Sequence, residues 1–140
     1  MIRKIEEKDA ESVCRISESA LGHKMASELI KENIAKLASD DEYFIAVYND
    51  GGVKGFMQAQ RYDILYGESG YNIIALAVIP DYQKRGIGNA LLSALENYAK
   101  KNGASFVRLN SRIERSDAHA FYEHLGYICD KTQKRFIKYI

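Results

Sequence analysis

The chain has little cysteine: Cys14 and Cys129 are the only two in 140 residues. Two thiols are too few for a metal cluster, and no paired Cys/His spacing accompanies them, so no metal is expected. Cys14 falls on the apolar side of a helical pattern and reads as a small buried hydrophobe. Neither charge is in excess, with 20 Lys plus Arg against 19 Asp plus Glu and a net charge of +1. General nucleic-acid binding usually needs a clear basic excess, which disfavours that class. No apolar run approaches the roughly 18 residues of a membrane-spanning helix. Met1 leads directly into a short strand-like segment, so neither a secretory leader nor a membrane span is expected, and a cytoplasmic protein fits. Internal repeats, linkers and low-complexity tracts are also missing. One domain, 1–140, long enough to bury a proper core, is the expectation.

What is present is concentrated between Tyr71 and Leu92, in YNIIALAVIPDYQKRGIGNALL. An apolar run from Ile73 to Ile79 stops at the only proline, Pro80. A polar loop, Asp81 to Arg85, leads to Gly86 and Gly88 at the mouth of an amphipathic helix. Glycine lets the backbone approach a ligand closely and turn its N–H groups toward it. The helix start adds orphan amide donors and the positive end of the macrodipole. Strand, Gly-x-Gly and helix together suit a phosphate or pyrophosphate, with Gln83, Lys84 and Arg85 on the approach. A Rossmann site would want a third glycine or alanine three residues past Gly88, where Leu91 stands. A Walker-type Gly-Lys-Ser/Thr is also missing, so a dinucleotide or nucleoside triphosphate is disfavoured.

Hydrophobic periodicity gives a coarse order of elements. Met1–Ile5 reads as a strand, and Asp9 as the N-cap of a helix through Ala20. Met25, Leu29, Ile30, Ile34 and Leu37 repeat at helical spacing. Tyr43–Tyr48 and Val53–Arg61 are strands joined by the hairpin signal Asn49-Asp50-Gly51-Gly52. Gly67–Gly70 turns the chain into the Tyr71–Val78 strand. The helix after Gly88 carries Leu91, Leu92, Leu95 and Ala99 and ends at Asn102-Gly103. A strand at Ser105–Leu109, a helix at Asp117–Leu125 and a hairpin of Tyr127–Cys129 with Lys134–Tyr139 complete the reading.

Leu76-Ala77-Val78 followed by Gln83-x-x-Gly86-x-Gly88 resembles the acetyl-CoA signature of the GNAT superfamily of N-acetyltransferases, Gln/Arg-x-x-Gly-x-Gly/Ala. A second segment, Ala118-His119-Ala120-Phe121-Tyr122-Glu123-His124-Leu125-Gly126-Tyr127, is similar to the family's Ala-x-x-Phe-Tyr-x-x-x-Gly-Phe/Tyr motif, about 35 residues on. The resemblance is specific from Tyr71 onward and topological before it. It implies the GNAT α/β fold, a central mixed, mostly antiparallel twisted sheet flanked by about four helices. It also implies acetyl-CoA as cosubstrate, its pyrophosphate held by loop amides. Gln83, Lys84, Arg85, Gly86, Ile87, Gly88, Asn89 and Ala90 are the residues this places around the phosphates. Leu76, Ala77 and Val78 would hold the pantetheine arm by main chain, on a strand that splays from its neighbour. Phe121 joins the cofactor set, and Tyr122 aligns with the family's general acid.

Acetyl transfer requires a neutral amine, a donor for the developing oxyanion and a proton for the leaving thiolate. A phenol with a pKa of about 10 is protonated at neutral pH and can serve a thiolate of about 8.5. The chain departs from the family in two places. Asn72 stands where histone acetylators carry a glutamate base, leaving Glu68, Asp63, His119, His124 or a water chain. Arg115 stands where an asparagine often bonds the cofactor arm, so Asn110 or Arg115 is expected to take part of that work. Arg-x-x-Ala-His-x-Phe-Tyr recurs in relatives acting on small amines, including aminoglycosides. Tyr62, Tyr66 and Tyr71 with Asp63 and Glu68 suggest an aromatic, acidic neighbourhood for a cationic amine. A small cationic amine is therefore the expected acceptor. A protein or aminoacyl-tRNA amine, and a CoA-binding regulator without catalysis, are the alternatives, and a homodimer is left open.

Overall fold

The computed structural model describes residues 1–140. The chain divides into two compact units, Met1–Leu109 and Asn110–Ile140. The first holds a five-stranded sheet in sequential order, β1 (Ile2–Lys4), β2 (Tyr43–Asn49), β3 (Val53–Tyr62), β4 (Gly70–Val78) and β5 (Phe106–Leu109). The first four strands are antiparallel neighbours and β5 runs parallel to β4. A parallel partner needs a crossover connection, which α3 (Ile87–Lys101) provides. Helices α1 (Ala10–Ile16), prolonged by a π-type turn at Ser17–Leu21, and α2 (Ser27–Leu37) lie between β1 and β2. The second unit contains α4 (Ser116–His124). The fold is the mixed, mostly antiparallel α/β sheet with four helices that the sequence implies.

The apolar stripe of α3 packs against β3 and β4, with Ile87, Leu91, Leu92, Leu95 and Ala99 all at most 5% exposed. At roughly 1.5–3 kcal/mol per buried large aliphatic, this stripe anchors the helix and fixes where its first turn points. A second cluster joins Ile5, Ala10, Val13, Ile16 and Ile34 to Val47, Phe56 and Ala77 of the sheet. The two clusters use opposite faces of β4, and the alternation is interrupted once. Between Ile73, paired with Ala59, and Ala75, paired with Gln58, Ile74 is an extra residue on β4. This β-bulge reverses which face each side chain takes. Tyr71 therefore points toward Tyr98 of α3, whereas Ala77 faces the α1 cluster.

Several sequence expectations are corrected. Asp9 does not cap α1 with its side chain. Its carboxylate accepts both guanidinium nitrogens of Arg3 at 2.8 Å and the Glu6 N–H at 2.9 Å, because a short 3-10 turn, Glu7–Asp9, precedes the helix. Cys14 is half-exposed, its thiol 3.0 Å from the Met25 carbonyl. Of the α2 stripe only Ile34 is buried, while Met25 and Leu29 are exposed. The C-terminal hairpin is not formed: no strand follows α4, and Ile128, Phe136 and Tyr139 are all at least 85% exposed. A two-stranded hairpin is marginal without a buried apolar face, and these side chains bury none.

Candidate functional site

The first unit assembles the strand end, loop and helix mouth singled out in the sequence. Pairing of β4 with β5 stops at Ile73 and Leu109, and β4 continues to Val78 without that partner. The bulge at Ile74 sits where the pairing ends. Beyond it, the Ile79 N–H points to β3, donating to the Lys54 carbonyl at 2.8 Å. By the two-residue alternation of an antiparallel pair, the N–H and C=O groups of Leu76 and Val78 face the open side. Val78 confirms this orientation, because its carbonyl accepts the Gln83 side-chain amide at 3.0 Å. Open main-chain groups of this kind can bond an extended amide-bearing arm as a missing strand would.

The loop is held tightly at its start. Pro80–Tyr82 forms one 3-10 turn, closed by Tyr82 N–H to Ile79 O at 2.9 Å and Gln83 N–H to Pro80 O at 3.2 Å. Lys84, at φ 63°, is the only non-glycine residue with positive φ, and Gly86 follows at φ 86°. Backbone turned in and out of the left-handed region points successive N–H groups into one concavity, an arrangement that binds anions. The first bond into the helix is Ala90 N–H to Gly86 O at 2.9 Å. The amides of Ile87, Gly88 and Asn89 precede it and have no side-chain cap. A Cβ built on Gly86 would meet no atom within 4 Å, so the concavity has room for a ligand. The Asn89 side chain accepts the Ser93 hydroxyl at 3.4 Å. These features fit a pyrophosphate followed by an amide-rich arm.

Two positioning residues gave no sequence signal. Gly55 lies opposite Val78, and a Cβ there would stand 2.9 Å from the Ala77 carbonyl and 3.2 Å from an Ile87 methyl. Only glycine lets α3 approach the sheet this closely, which fixes the loop between them. Lys54, beside it, places its ammonium 4.5 Å from the Tyr82 ring centre.

The acceptor neighbourhood inferred from Tyr62 to Tyr71 is not assembled as expected. Tyr71 is 2% exposed, turned to the α3 face by the bulge, and its ring is already covered by Arg61 at 5.4 Å. Asp63 is bonded by Arg61 Nε at 3.3 Å. The Ser69 hydroxyl, with Arg61, holds its carboxyl below the usual range. Glu68 is exposed in the turn before β4, and Tyr66 is 90% exposed. On the opposite face Arg108 lies 4.8 Å over the Tyr62 ring and donates to the Asn72 carboxamide at 2.7 Å. Asn72 thus accepts a hydrogen bond where some relatives have a base.

In the second unit, Phe121 and Tyr122 of α4 have ring centres 5.1 Å apart, and Tyr127 stands 5.7 Å beyond Tyr122. Burial pushes the Tyr122 phenol above its ordinary pKa, and Arg115 works against that. The phenol therefore keeps its proton across the neutral range. Arg115 occupies the position before α4, and Asn110 opens the unit. His119 Nε2 is 2.9 Å from the Arg112 carbonyl, and His124 is exposed at the end of α4. No group of three or more His, Cys, Asp or Glu is arranged to hold a metal ion, and no helix is long and apolar enough to cross a membrane.

A β4 edge left without its β5 partner after a bulge, and continued into a glycine turn at a helix mouth, is the arrangement that the acetyltransferase family motif implies. Residues 6–127 match the profile of the acetyltransferase (GNAT) family, and the chain belongs to it. It is 42% identical over 52 residues to the ribosomal protein bS18 alanine N-acetyltransferase of Escherichia coli, a match covering 37% of this chain and 35% of that protein. It is 38% identical over 63 residues to the aminoalkylphosphonate N-acetyltransferase of Salmonella typhimurium, covering 45% and 40%. The chain thus spans well under half the length of the curated relatives it matches. Among solved structures, a transcriptional regulator from Bacillus halodurans superposes with a TM-score of 0.87 at 20% identity, covering 99% of both chains. That likeness concerns the fold.

Proposed function

We propose that the protein is an N-acetyltransferase that moves the acetyl group of acetyl-CoA to the primary amine of a small molecule. The observation that carries this reading is the β4 edge, unpaired from Ile74 to Val78, leading into the Lys84–Gly86 concavity at the mouth of α3. Bound there, acetyl-CoA supplies an activated thioester carbonyl. The N–H groups of Leu76 and Val78 orient the pantetheine arm and polarise that carbonyl. Amides from Arg85 to Asn89 carry the pyrophosphate, Ala90 closing the first helix bond behind them, with Lys84 adding charge. Phe121, Asn110 and Arg115 complete the cofactor set implied by the family motif. The neutral amine forms the new C–N bond, the C–S bond breaks, and Tyr122 gives its proton to the departing sulfur. The proton of the amine leaves through water, since Asn72 offers no base.

The small-amine assignment is supported by the local match to the aminoalkylphosphonate enzyme. Asp63 and Glu68 are the carboxylates proposed to attract a cationic acceptor, Glu68 being the stronger candidate because Arg61 already neutralises Asp63. A peptide α-amine is the second reading, favoured by the match to the ribosomal protein enzyme. The test is incubation with acetyl-CoA and a panel of small amines and amino-terminal peptides, reading released thiol against a run without amine. Thiol release that no amine raises above the hydrolysis baseline would reject the enzymatic reading in favour of a CoA-binding regulator.

A further inference from the structure

The phosphate loop carries a group of side chains that its backbone chemistry does not use. Tyr82, half-buried at the end of the 3-10 turn, has Lys54 Nζ 4.5 Å and Arg85 Cζ 4.6 Å from its ring centre. The two cations come from different elements. Lys54 is fixed beside the loop because its carbonyl accepts the Ile79 N–H at 2.8 Å, joining the start of β3 to the end of β4. Arg85 lies within the loop itself, next to Gly86. None of Lys54, Lys84 or Arg85 forms an ion pair with a carboxylate, although the chain is nearly neutral overall. Two cations sharing one aromatic ring repel each other. The ring quadrupole offsets this repulsion without neutralising either charge. Both cations are thus held within 4.6 Å of the centre of one ring beside the loop, with no carboxylate partner.

We infer that Lys54 and Arg85, positioned by Tyr82, bind the 3′-phosphate of CoA and make the protein selective for CoA over its 3′-dephospho form. This rests on the acetyl-CoA reading above. The pyrophosphate carries diester-type charges suited to the backbone amides of the concavity. The 3′-phosphate is a monoester, close to dianionic at neutral pH, and an anion of that charge suits two side-chain cations. Tyr82 is a positioning residue; it acts by keeping both cations on its ring.

The experiment is calorimetric titration of CoA and of 3′-dephospho-CoA into the intact protein and into Lys54→Gln and Tyr82→Leu variants, with circular dichroism to check folding. The parent is expected to bind CoA about tenfold more tightly than 3′-dephospho-CoA, a preference that shrinks as salt is raised. Lys54→Gln should reduce that preference to about threefold or less, because it weakens CoA and leaves 3′-dephospho-CoA unchanged. Tyr82→Leu should do the same through looser cations. Equal binding of the two cofactors by the parent would overturn the inference while leaving the acetyl-CoA reading intact. An equal loss of both cofactors in a folded Lys54→Gln variant would overturn it too, assigning Lys54 to the pyrophosphate. If neither cofactor binds the parent, the acetyl-CoA reading itself fails.

Discussion

Replacing Gly86 separates the loop's conformation from its chemistry. Gly86 sits at φ 86° and ψ 4°, immediately before α3, and a Cβ there meets nothing within 4 Å. A clash of the added Cβ with the protein is thus excluded as a cause. What an L-residue faces is the left-handed backbone, which costs about 1–2 kcal/mol, and more for a β-branched side chain. The loop can relieve that strain only by leaving the left-handed region, which turns the N–H groups of Ile87 and Gly88 away from the concavity. Gly86→Val should therefore lower CoA affinity at least tenfold, about 1.4 kcal/mol, with a stability loss of similar size. Gly86→Ala should show the same pattern, somewhat weaker, because the strain is in the backbone. Gly88→Ala is the control. Gly88 lies inside α3 without positive φ, and the family signature accepts alanine there. Its replacement should raise helix stability by up to about 1 kcal/mol and leave CoA affinity within about threefold. Calorimetry with CoA, paired with thermal unfolding, reads both quantities. A folded Gly86→Val protein with parental CoA affinity would refute the pyrophosphate assignment.

Tyr122→Phe keeps the ring and removes only the donor, so kcat should fall about 10²-fold with acetyl-CoA affinity nearly unchanged; parental kcat under chemistry-limited conditions would reduce Tyr122 to packing. Because burial raises the phenol's pKa, the midpoint of any loss of kcat from its ionisation should lie above the ordinary tyrosine value of about 10, which a pH profile of the parent measures. Gly55→Ala should destabilise the protein by about 1–3 kcal/mol, since the carbonyl it meets at 2.9 Å is backbone and cannot yield, and thermal melts read this directly. For Asp9, burial alone would raise the carboxyl pKa, but the Arg3 bonds and the Glu6 amide outweigh it and the folded value lies below the unfolded one. Its contribution is therefore full above the unfolded value of about 3.9 and lost as pH falls through the folded value. The stability gap between parent and Asp9→Asn should be about 3 kcal/mol near neutrality and should close in acid, as urea unfolding across pH would record.

The end of β4, the glycine turn and the mouth of α3 were legible because their signals are local. Gly86 and Gly88 beside a helix mouth state a backbone requirement, and the α3 stripe from Ile87 to Ala99 states a period. The faces of β4 were not legible, for an equally specific reason. Alternation along Tyr71–Val78 has no mark in the sequence for the extra residue at Ile74, and one extra residue exchanges the two faces of a strand. Tyr71 and Tyr62 are set on opposite sides of the sheet by register, because Tyr71 pairs with Arg61 and Tyr62 with Gly70. Asp63 pairs with Arg61, a contact that depends on how the chain leaves β3. The C-terminal hairpin was expected from alternation alone, which cannot say whether a face exists for those side chains to bury.

The sequence by itself determined the class of protein, the order of elements through α4 and the position of the phosphate loop, because propensity, turn chemistry and short motifs act over a few residues. Tertiary structure alone decided which main-chain groups of β4 stay open, because that depends on where pairing with β5 ends. It also decided that Gly55 must lack a side chain and that Lys54 joins Arg85 on Tyr82. Those are contacts between residues about 30 apart in sequence, set by strand register and helix packing, and neither leaves a periodic trace in the chain.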